Sequence, residues 1–399
     1  MKRLLALALS VLTSALTTFG ESSPADIQKV VVGNTAFATD LYAKLKNQPG
    51  NLFFSPYSIS TALAMTYAGA RGNTATQMAN VLHFSVPQER LHPSFAALEA
   101  ELNAVQKKGK VQLSVANSLW PQKGYPFRPE YLGLVKQYYG SNISPLDYEH
   151  ATEAARKTIN DWVERKTNRK ITDLIKPGVL DSMTRLVLAN AIYFKGNWAS
   201  QFDSKETEEE RFLVAADKSV KCKLMHRTRT YAYAETPELQ VLELSYARGD
   251  LSTVVLLPRR IDGFGTLEAQ LAPAKLAEWT QALREYEVMV SLPKFKLTRE
   301  FSLKETLIAM GMADAFSGNA DFSGMERSRG FFVSTMVHKA FVDVNEQGTE
   351  AAAATAVVRP LGMAPEPVVF RADHPFIFLI QDKQNGSILF MGRVTDPTK

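Results

Sequence analysis

The segment that most constrains the fold lies near the C-terminus, where a predicted strand runs into a long stretch of small residues. Across Val337–Val344, aliphatic residues recur at every second position from Ala340 onward, which is typical of a strand. Gly348–Thr355 then offers no large apolar side chain to bury. Arg359–Pro367 contains three prolines, and proline lacks the backbone donor that a helix or a central strand needs. The sequence therefore predicts a strand followed by a long protruding loop, although composition alone fits an alanine-rich surface linker equally well.

Length and composition favour one large domain. The chain has 399 residues, of which 45% are hydrophobic and 22% are charged, so it can bury a sizeable core. No Pro-, Gly- or Ser-rich linker, charge block or internal repeat divides it. Cys222 is the only cysteine, which excludes an internal disulfide. We therefore expect a domain that is held together by packing alone.

The first twenty residues predict a secretory signal peptide. Lys2 and Arg3 form a positive start, Leu4–Leu12 is apolar, and small residues follow up to Gly20. This stretch is too short to span a bilayer, and no later apolar run is long enough. We therefore expect residues 1–20 to be removed and residues 21–399 to form a single domain, secreted or extracytoplasmic and not bound to a membrane.

Periodicity predicts helices early in the chain and strands late, with few strand–helix–strand repeats, which indicates an α+β fold. Ser55–Pro56 provides the residues preferred at the N-cap and first position of a helix. A largely apolar and buried helix is expected from there to Tyr67. Further predicted elements include helices at Thr152–Ile175 and Thr266–Leu283 and a strand at Val288–Leu297.

The sequence contains no enzyme motif. It has no Gly-x-Ser-x-Gly elbow, phosphate-binding glycine loop, His-Glu-x-x-His pair or zinc-binding cysteine pair, so it indicates no metal and no cofactor. His338 could serve a hydrolase only with a serine and a carboxylate beside it, and a buried, hydrogen-bonded histidine is the better interpretation. The basic segments Lys107–Lys110 and Arg165–Lys170 could bind a polyanion, but solvated surface is the favoured interpretation and no nucleic-acid partner is expected.

The segment 337–355 closely resembles the proximal hinge and reactive-centre loop of the serpins, the suicide inhibitors of proteases. Further segments resemble serpin motifs and occur in the family's order: Asn51–Ser60, Asn190–Trp198, Leu292–Phe295, Asp373–Phe378 and Phe390–Arg393. The resemblance covers nearly the whole chain after the predicted signal peptide. It implies helices packed around three β-sheets, a large central sheet, an exposed reactive-centre loop at about residues 346–367, and a protein that is not an enzyme.

The resemblance also implies a mechanism. A protease attacks the loop and forms an acyl-enzyme, and the cut loop then inserts into the central sheet and traps the protease irreversibly. The hinge residues implied by the family motif are Glu346, Gly348, Thr349, Glu350, Ala351, Ala352, Ala353, Ala354 and Thr355. In an inserted strand, alternation places small, uncharged residues on the inward face: Thr349, Ala351, Ala353, Thr355 and Val357. Arg359 is expected to point inward at the far end, where its guanidinium can reach solvent along its stem.

Two polar clusters are implied by the same resemblance. The shutter lies under the point where the central sheet parts, and its histidine bonds its asparagine; its residues here are Ser55, Ser58, Asn190 and His338. The breach lies where the loop inserts, and its residues here are Trp198, Lys294 and Glu346. Because an exposed Lys–Glu pair stabilises little, we expect the breach to gate insertion rather than to carry global stability.

Family spacing places the reactive bond at Gly362–Met363, with Leu361–Gly362 and Met363–Ala364 as alternatives. Pro360 disfavours cleavage after Arg359, which argues against a trypsin-like target. The expected partner of this monomeric inhibitor is a protease with a small or apolar specificity pocket, namely an elastase-, chymotrypsin- or subtilisin-like enzyme or a papain-like cysteine protease. The alternative is a non-inhibitory serpin that acts as a carrier, chaperone or storage protein.

Overall fold

The computed structural model describes residues 22–108, 111–141, 143–327, 330–349 and 366–399. The predicted signal peptide, the hinge residues from Glu350 to Thr355 and the predicted reactive bond Gly362–Met363 lie outside these ranges. Within them, most of the helices precede most of the strands, as the α+β pattern predicts.

Nine α-helices are present in the described ranges, and α2 is the most deeply buried of them. The helices of the described residues are α1 Pro24–Leu45, α2 Pro56–Tyr67, α3 Gly72–Leu82, α4 Gln88–Lys107, α5 Pro129–Tyr139, α6 Tyr148–Lys166, α7 Phe264–Gln270, α8 Pro273–Gln281 and α9 Lys304–Met310. None of these is both long and apolar enough to cross a bilayer. Helix α2 begins as predicted, because the Ser55 hydroxyl accepts the Ser58 backbone N–H and Pro56 occupies the first position. Every residue of α2 is buried.

Among the described residues, the central sheet has five strands. They are β2 Val111–Pro121, β3 Leu186–Asn197, β9 Phe295–Ser302, β10 Thr335–Val344 and the short β11 Gly348–Thr349. Strand β3 pairs antiparallel with β2 and parallel with β10, and β10 pairs antiparallel with β9.

The remaining strands form a second hydrogen-bonded network. They are β1 Leu52–Phe54, β4 Thr207–Ala215, β5 Lys218–Glu235, β6 Leu239–Ser245, β7 Leu251–Pro258, β8 Arg284–Pro293, β12 Val368–Arg371, β13 Phe376–Asp382 and β14 Ile388–Val394. The long strand β5 pairs with β4 along its first half, with β8 along its second half, and with β6 only at its end. It therefore links two groups of described strands: β4, β8 and β12 on one side, and β6, β7, β13, β14 and β1 on the other.

The two faces of β3 contribute to different parts of the core. Leu188, Ile192 and Phe194 pack into the main core with α2 and the second network. The alternate residues face α6 in a smaller cluster: Val187, Ala189, Ala191 and Tyr193. Strand β3 is thus buried on both faces, and any strand added beside it needs side chains that fit both.

Three predicted elements have wrong boundaries. The helix predicted at Thr152–Ile175 ends at Lys166, because Asn168 and Arg169 adopt left-handed backbone conformations, with φ of 51° and 60°. The predicted helix Thr266–Leu283 is two helices that are separated before Pro273, since the residue before proline disfavours the helical conformation. The predicted strand Val288–Leu297 is likewise split, and its parts, β8 and β9, belong to different sheets.

Candidate functional site

A slot opens in the central sheet at the upper end of β3 and β10. Their parallel pairing runs from Thr335–Val187 to Phe341–Tyr193 and ends there. Beyond it, β11 pairs antiparallel with β3, with Thr349 opposite Gly196. Because the other side of Gly196 is occupied by β2, β11 lies on the side of β3 that faces β10. The hinge residues Gly348 and Thr349 thus already pair with β3 in the slot.

Gly348 makes this placement sterically possible. Its φ is +137°, and a Cβ at this position would lie 2.2 Å from the carbonyl oxygen of Gly196 and 2.6 Å from the Cα of Asn197. No side chain fits at such distances. The tight turn that delivers β11 is closed by two backbone hydrogen bonds between Asn345 and Gly348, of 2.9 and 3.1 Å.

Trp198 holds the turn from the β3 side. Its indole Nε1–H donates to the carbonyl oxygen of Asn345 at 3.0 Å. Its backbone N–H donates to the carbonyl oxygen of Gln347 at 3.0 Å. The indole is buried and stacks on Tyr246, with the ring centroids 4.7 Å apart. Two hydrogen bonds therefore fix the turn to the end of β3, and the stack on Tyr246 holds the indole in position.

Glu346 and Lys294 form an ion pair at the same turn. The Lys294 Nζ lies 2.8 Å from both carboxylate oxygens of Glu346. The Thr207 hydroxyl donates to Glu346 Oε1 at 2.9 Å. Burial by itself raises the pKa of the Glu346 carboxyl, but the hydrogen bonds from Lys294 and Thr207 outweigh it and lower the pKa below its usual value. The carboxylate is 13% exposed, so the pair is more buried than the exposed pair that we expected from sequence.

The four predicted shutter residues lie together, fully buried, beneath the paired part of β3 and β10. The Ser55 backbone N–H donates to His338 Nε2 at 3.1 Å. Since Nε2 accepts, the imidazole proton is on Nδ1, which donates to Asn190 Oδ1. Burial lowers the pKa of His338 to about 3, so the ring is neutral and one tautomer satisfies both partners.

Asn190 connects the histidine to helix α2. Its Nδ2 donates to the carbonyl oxygen and the hydroxyl of Ser58, at 2.9 and 2.8 Å. Asn117 of β2 joins the same cluster, because it contacts Asn190 and accepts the Ser58 hydroxyl at 3.0 Å. With Asn117, the cluster ties four elements together: α2, β2, β3 and β10.

Sequence reasoning missed Asn117, Thr207 and Tyr246. Asn117 joins the shutter because it lies opposite Asn190 in the β2–β3 register, and no local pattern specifies that pairing. Thr207 begins β4, an acidic strand that was not predicted.

Among the described residues, no group of His, Cys, Asp and Glu is placed to hold a metal ion.

Comparisons with known proteins agree with this architecture. The family described as Serpin (serine protease inhibitor) matches residues 32–397. The human leukocyte elastase inhibitor is 43% identical over 382 residues, covering 93% of this chain and 100% of that protein. Uncleaved ovalbumin superposes with a TM-score of 0.84 at 32% identity, covering 92% of this chain and 100% of ovalbumin. Human thyroxine-binding globulin superposes with a TM-score of 0.84 at 32% identity, covering 94% of this chain and 100% of the globulin. This chain therefore belongs to the serpin family, a family of protease inhibitors rather than enzymes, and it has the fold that its motifs predict.

Proposed function

We propose that this chain is an irreversible inhibitor of serine proteases that inserts its own cleaved loop as a new strand between β3 and β10. The nucleophile of the protease attacks the carbonyl carbon of Gly362, the Gly362–Met363 bond breaks, and the new amino end of Met363 departs. The acyl group stays on the protease. Insertion of the loop then carries the acylated protease away and distorts its active site before water can release it.

The observation that carries this proposal is the register of β11 against β3. Continuing the same antiparallel pairing places Thr355 opposite Asn190 and Val358 opposite Val187. The β3 residues reached in this way are those that now pair with Thr335–Phe341 of β10. The new strand would therefore take the place of β10 beside β3, and its first two residue pairs, at Gly348 and Thr349, are already formed.

This register also sorts the loop side chains by face. Residues opposite one another in an antiparallel pair share a face. The side that meets the main core receives Thr349, Ala351, Ala353, Thr355 and Val357. The face towards α6 receives Ala352, Ala354, Ala356 and Val358, with Glu350 opposite Lys195 at the open end. Both faces of β3 are buried, so small residues on both sides of the incoming strand favour insertion.

Arg359 is the residue that fits this register least well. It falls opposite Leu186, which begins β3 and is only 1% exposed. A charge left unpaired there costs several kcal/mol. We infer that insertion stops at Val358 or that the Arg359 guanidinium extends past the end of the strand to water.

The shutter has to change partners during insertion. His338 lies opposite Asn190 in the β3–β10 register, so a strand placed between them breaks the bond between their side chains. The hydroxyl of Thr355 arrives opposite Asn190 and is of the right type to accept or donate in place of the imidazole. Asn190 then keeps a partner in both arrangements of the sheet.

We propose an elastase-like target, because several relatives are named leukocyte elastase inhibitor. Gly362 or Leu361 at the cleaved bond suits a small or apolar specificity pocket. Chymotrypsin-like and subtilisin-like enzymes are the next candidates, followed by papain-like cysteine proteases. A monomeric inhibitor suffices for this mechanism.

The test is to mix the protein with pancreatic and neutrophil elastase, chymotrypsin, subtilisin, trypsin and papain, and to separate the products on a denaturing gel. An acyl-enzyme survives denaturation, so a band of summed mass is expected with the elastases. Thr349→Arg is the matched variant, because it places a charge on the core-facing side of the inserted strand. It should be cleaved at the same bond without forming the band; cleavage and turnover of the unmodified protein by every protease would refute the proposal.

A non-inhibitory carrier remains the alternative, since a solved relative is a complex of thyroxine-binding globulin with thyroxine. The two functions differ in the gel experiment. A carrier gives only cleaved chain, whereas an inhibitor gives the covalent band.

We also propose that the protein is exported after removal of residues 1–20. The positive and apolar composition of Met1–Gly20 supports this, as does its position outside the family match, which begins at residue 32. The mass and N-terminal sequence of protein recovered from the culture medium test it. A chain that stays in the cells with its first residues intact would contradict export.

A further inference from the structure

Tyr193 and Phe341 form the last matched rung between β3 and β10. They lie opposite one another at the end of the parallel pairing, directly below the slot. Both side chains face α6, and their ring centroids are 5.7 Å apart. When β3 and β10 part, this is the rung that separates first, because the pairing does not continue above it.

Lys170 places its ammonium over both rings. Its Nζ lies 5.9 Å from the ring centroid of Tyr193 and 5.8 Å from that of Phe341. These distances are within the range of cation–π attraction. The same charge therefore contacts an aromatic ring on each side of the line along which the sheet parts.

Lys170 belongs to a segment that spans this line. The segment follows α6, and Lys339 of β10 donates to the carbonyl oxygen of Thr172 at 2.8 Å. On the other side, the Asn168 amide donates to the Ser114 hydroxyl of β2 at 3.4 Å. The segment is thus bonded to β2, on the β3 side of the line, and to β10 on the other side. Separation of β3 from β10 must therefore break some of these contacts.

We propose that Lys170, Tyr193 and Phe341 form a clamp that sets how readily β3 and β10 separate. The ammonium cannot stay over both rings once the width of a strand separates them. The charge therefore favours the state in which β3 and β10 are paired. The clamp rests on the proposed function only for its purpose, since separation of the strands is what loop insertion requires. Its existence can be measured without any protease.

Lys296 offers a matched control on the same ring. Its Nζ lies 5.3 Å from the ring centroid of Phe341 and 3.4 Å from Asp343 Oδ2. Lys296 belongs to β9, which pairs with β10 along Val337–Val344. It therefore moves with Phe341 when the sheet parts, and its contact with the ring does not change.

The experiment compares Lys170→Met and Lys296→Met by native-state hydrogen exchange of the β10 amides from Thr335 to Phe341. A partly exposed cation–π contact contributes about 0.5–1 kcal/mol, so opening should be about two- to fivefold more frequent in Lys170→Met. Lys296→Met should exchange like the unmodified protein. Equal exchange in all three proteins, or equal acceleration in both variants, would overturn the clamp.

A double-mutant cycle separates the clamp from any other contact of Lys170. Phe341→Leu removes the ring, and in its background Lys170→Met should change the exchange rate much less than it does alone. Additive effects would overturn the clamp. Incorporation of a synthetic peptide with the sequence Thr349–Val358 is measured in parallel and tests the proposed function instead: absence of incorporation by all variants, with Lys170→Met still exchanging faster, would count against insertion and not against the clamp.

Discussion

Gly348 decides whether the hinge can rest in the slot. Replacement by alanine would bring a Cβ within 2.2 Å of a carbonyl oxygen that belongs to β3. We expect Gly348→Ala to expel β11, to break the contacts of the turn with Trp198, and to lower stability by about 1–3 kcal/mol. Tryptophan fluorescence and a urea titration measure both effects.

Gly249 provides the control for this substitution. It also has a positive φ, of +76°, but nothing lies within 4 Å of where its Cβ would be. Gly249→Ala should therefore cost only the backbone strain of about 1–2 kcal/mol and leave the Trp198 signal unchanged. A Gly348→Ala protein that behaved like Gly249→Ala would show that the steric argument is wrong.

The buried imidazole of His338 should make the free energy of unfolding depend on pH. Its pKa is about 3 in the folded chain and about 6.5 when unfolded, so the unfolded chain binds more protons between these values. The contribution of neutral His338 to the free energy of unfolding is complete above pH 6.5. It falls as the pH drops through that window and is smaller by about 2 kcal/mol at pH 5. The stability advantage of the unmodified protein over His338→Gln should narrow by that amount between pH 7.5 and pH 5.

A second buried histidine, His92, tests whether burial of the imidazole causes this pH dependence. It is also buried, and its pKa is likewise lowered to about 3, chiefly by burial and then by the charge of Arg71. His92→Gln should show the same narrowing although it lies outside the shutter. Urea titrations at both pH values measure the effect, and parallel profiles for all three proteins would contradict it.

The break between β8 and β9 puts Lys294 at the junction of two sheets. Its backbone N–H donates to the carbonyl oxygen of Lys223 at 2.8 Å, and its ammonium reaches Glu346 at the turn before β11. One residue thus connects the second network to the hinge. We therefore expect the ion pair to influence the hinge, although it contributes too little to hold the domain together.

Lys294→Met should loosen the hinge and lower stability by about 1 kcal/mol, since the pair is partly buried and Thr207 still contacts Glu346. The pKa of Glu346 is lowered in the folded chain, so this stabilisation is present above the unfolded carboxyl pKa of about 4.3 and is lost as the pH falls through the folded value. The difference between the two proteins should therefore shrink below about pH 4. A constant difference down to pH 3 would contradict the ion pair as its cause.

The native chain as a whole should be less stable than its cleaved form. Insertion adds a strand with backbone hydrogen bonds on both sides and new apolar burial, at roughly 25 cal/mol per Å². Each kcal/mol gained at the midpoint raises the melting temperature by about 2 °C in a domain of this size. We expect cleavage at Gly362–Met363 to raise the midpoint by roughly 10 °C or more. Thermal unfolding of intact and cleaved protein side by side is the measurement, and equal midpoints would mean that the loop does not insert.

The sequence motifs predicted residues of the shutter and of the breach, but not all the residues that belong to them. Ser55, Asn190 and His338 were predicted as neighbours because each stands in a motif that resembles the family's. Asn117 could not be predicted, since its place depends on register between strands distant in sequence. The end of α6 was missed because apolar spacing continues through Ile171, Leu174 and Ile175, which are buried after the helix has ended. Periodicity reports burial, and burial does not require the helix to continue.

The contact between β3 and β10 is the one parallel pairing in the described part of the central sheet. Parallel pairing is slightly weaker per residue than antiparallel pairing, and a tight turn can join only antiparallel strands. A strand that continues from the Asn345–Gly348 turn between β3 and β10 runs antiparallel to both. It therefore replaces one weaker parallel pairing with two stronger antiparallel pairings. The direction of the chain at that turn thus determines the orientation of any strand that would continue β11 into the sheet.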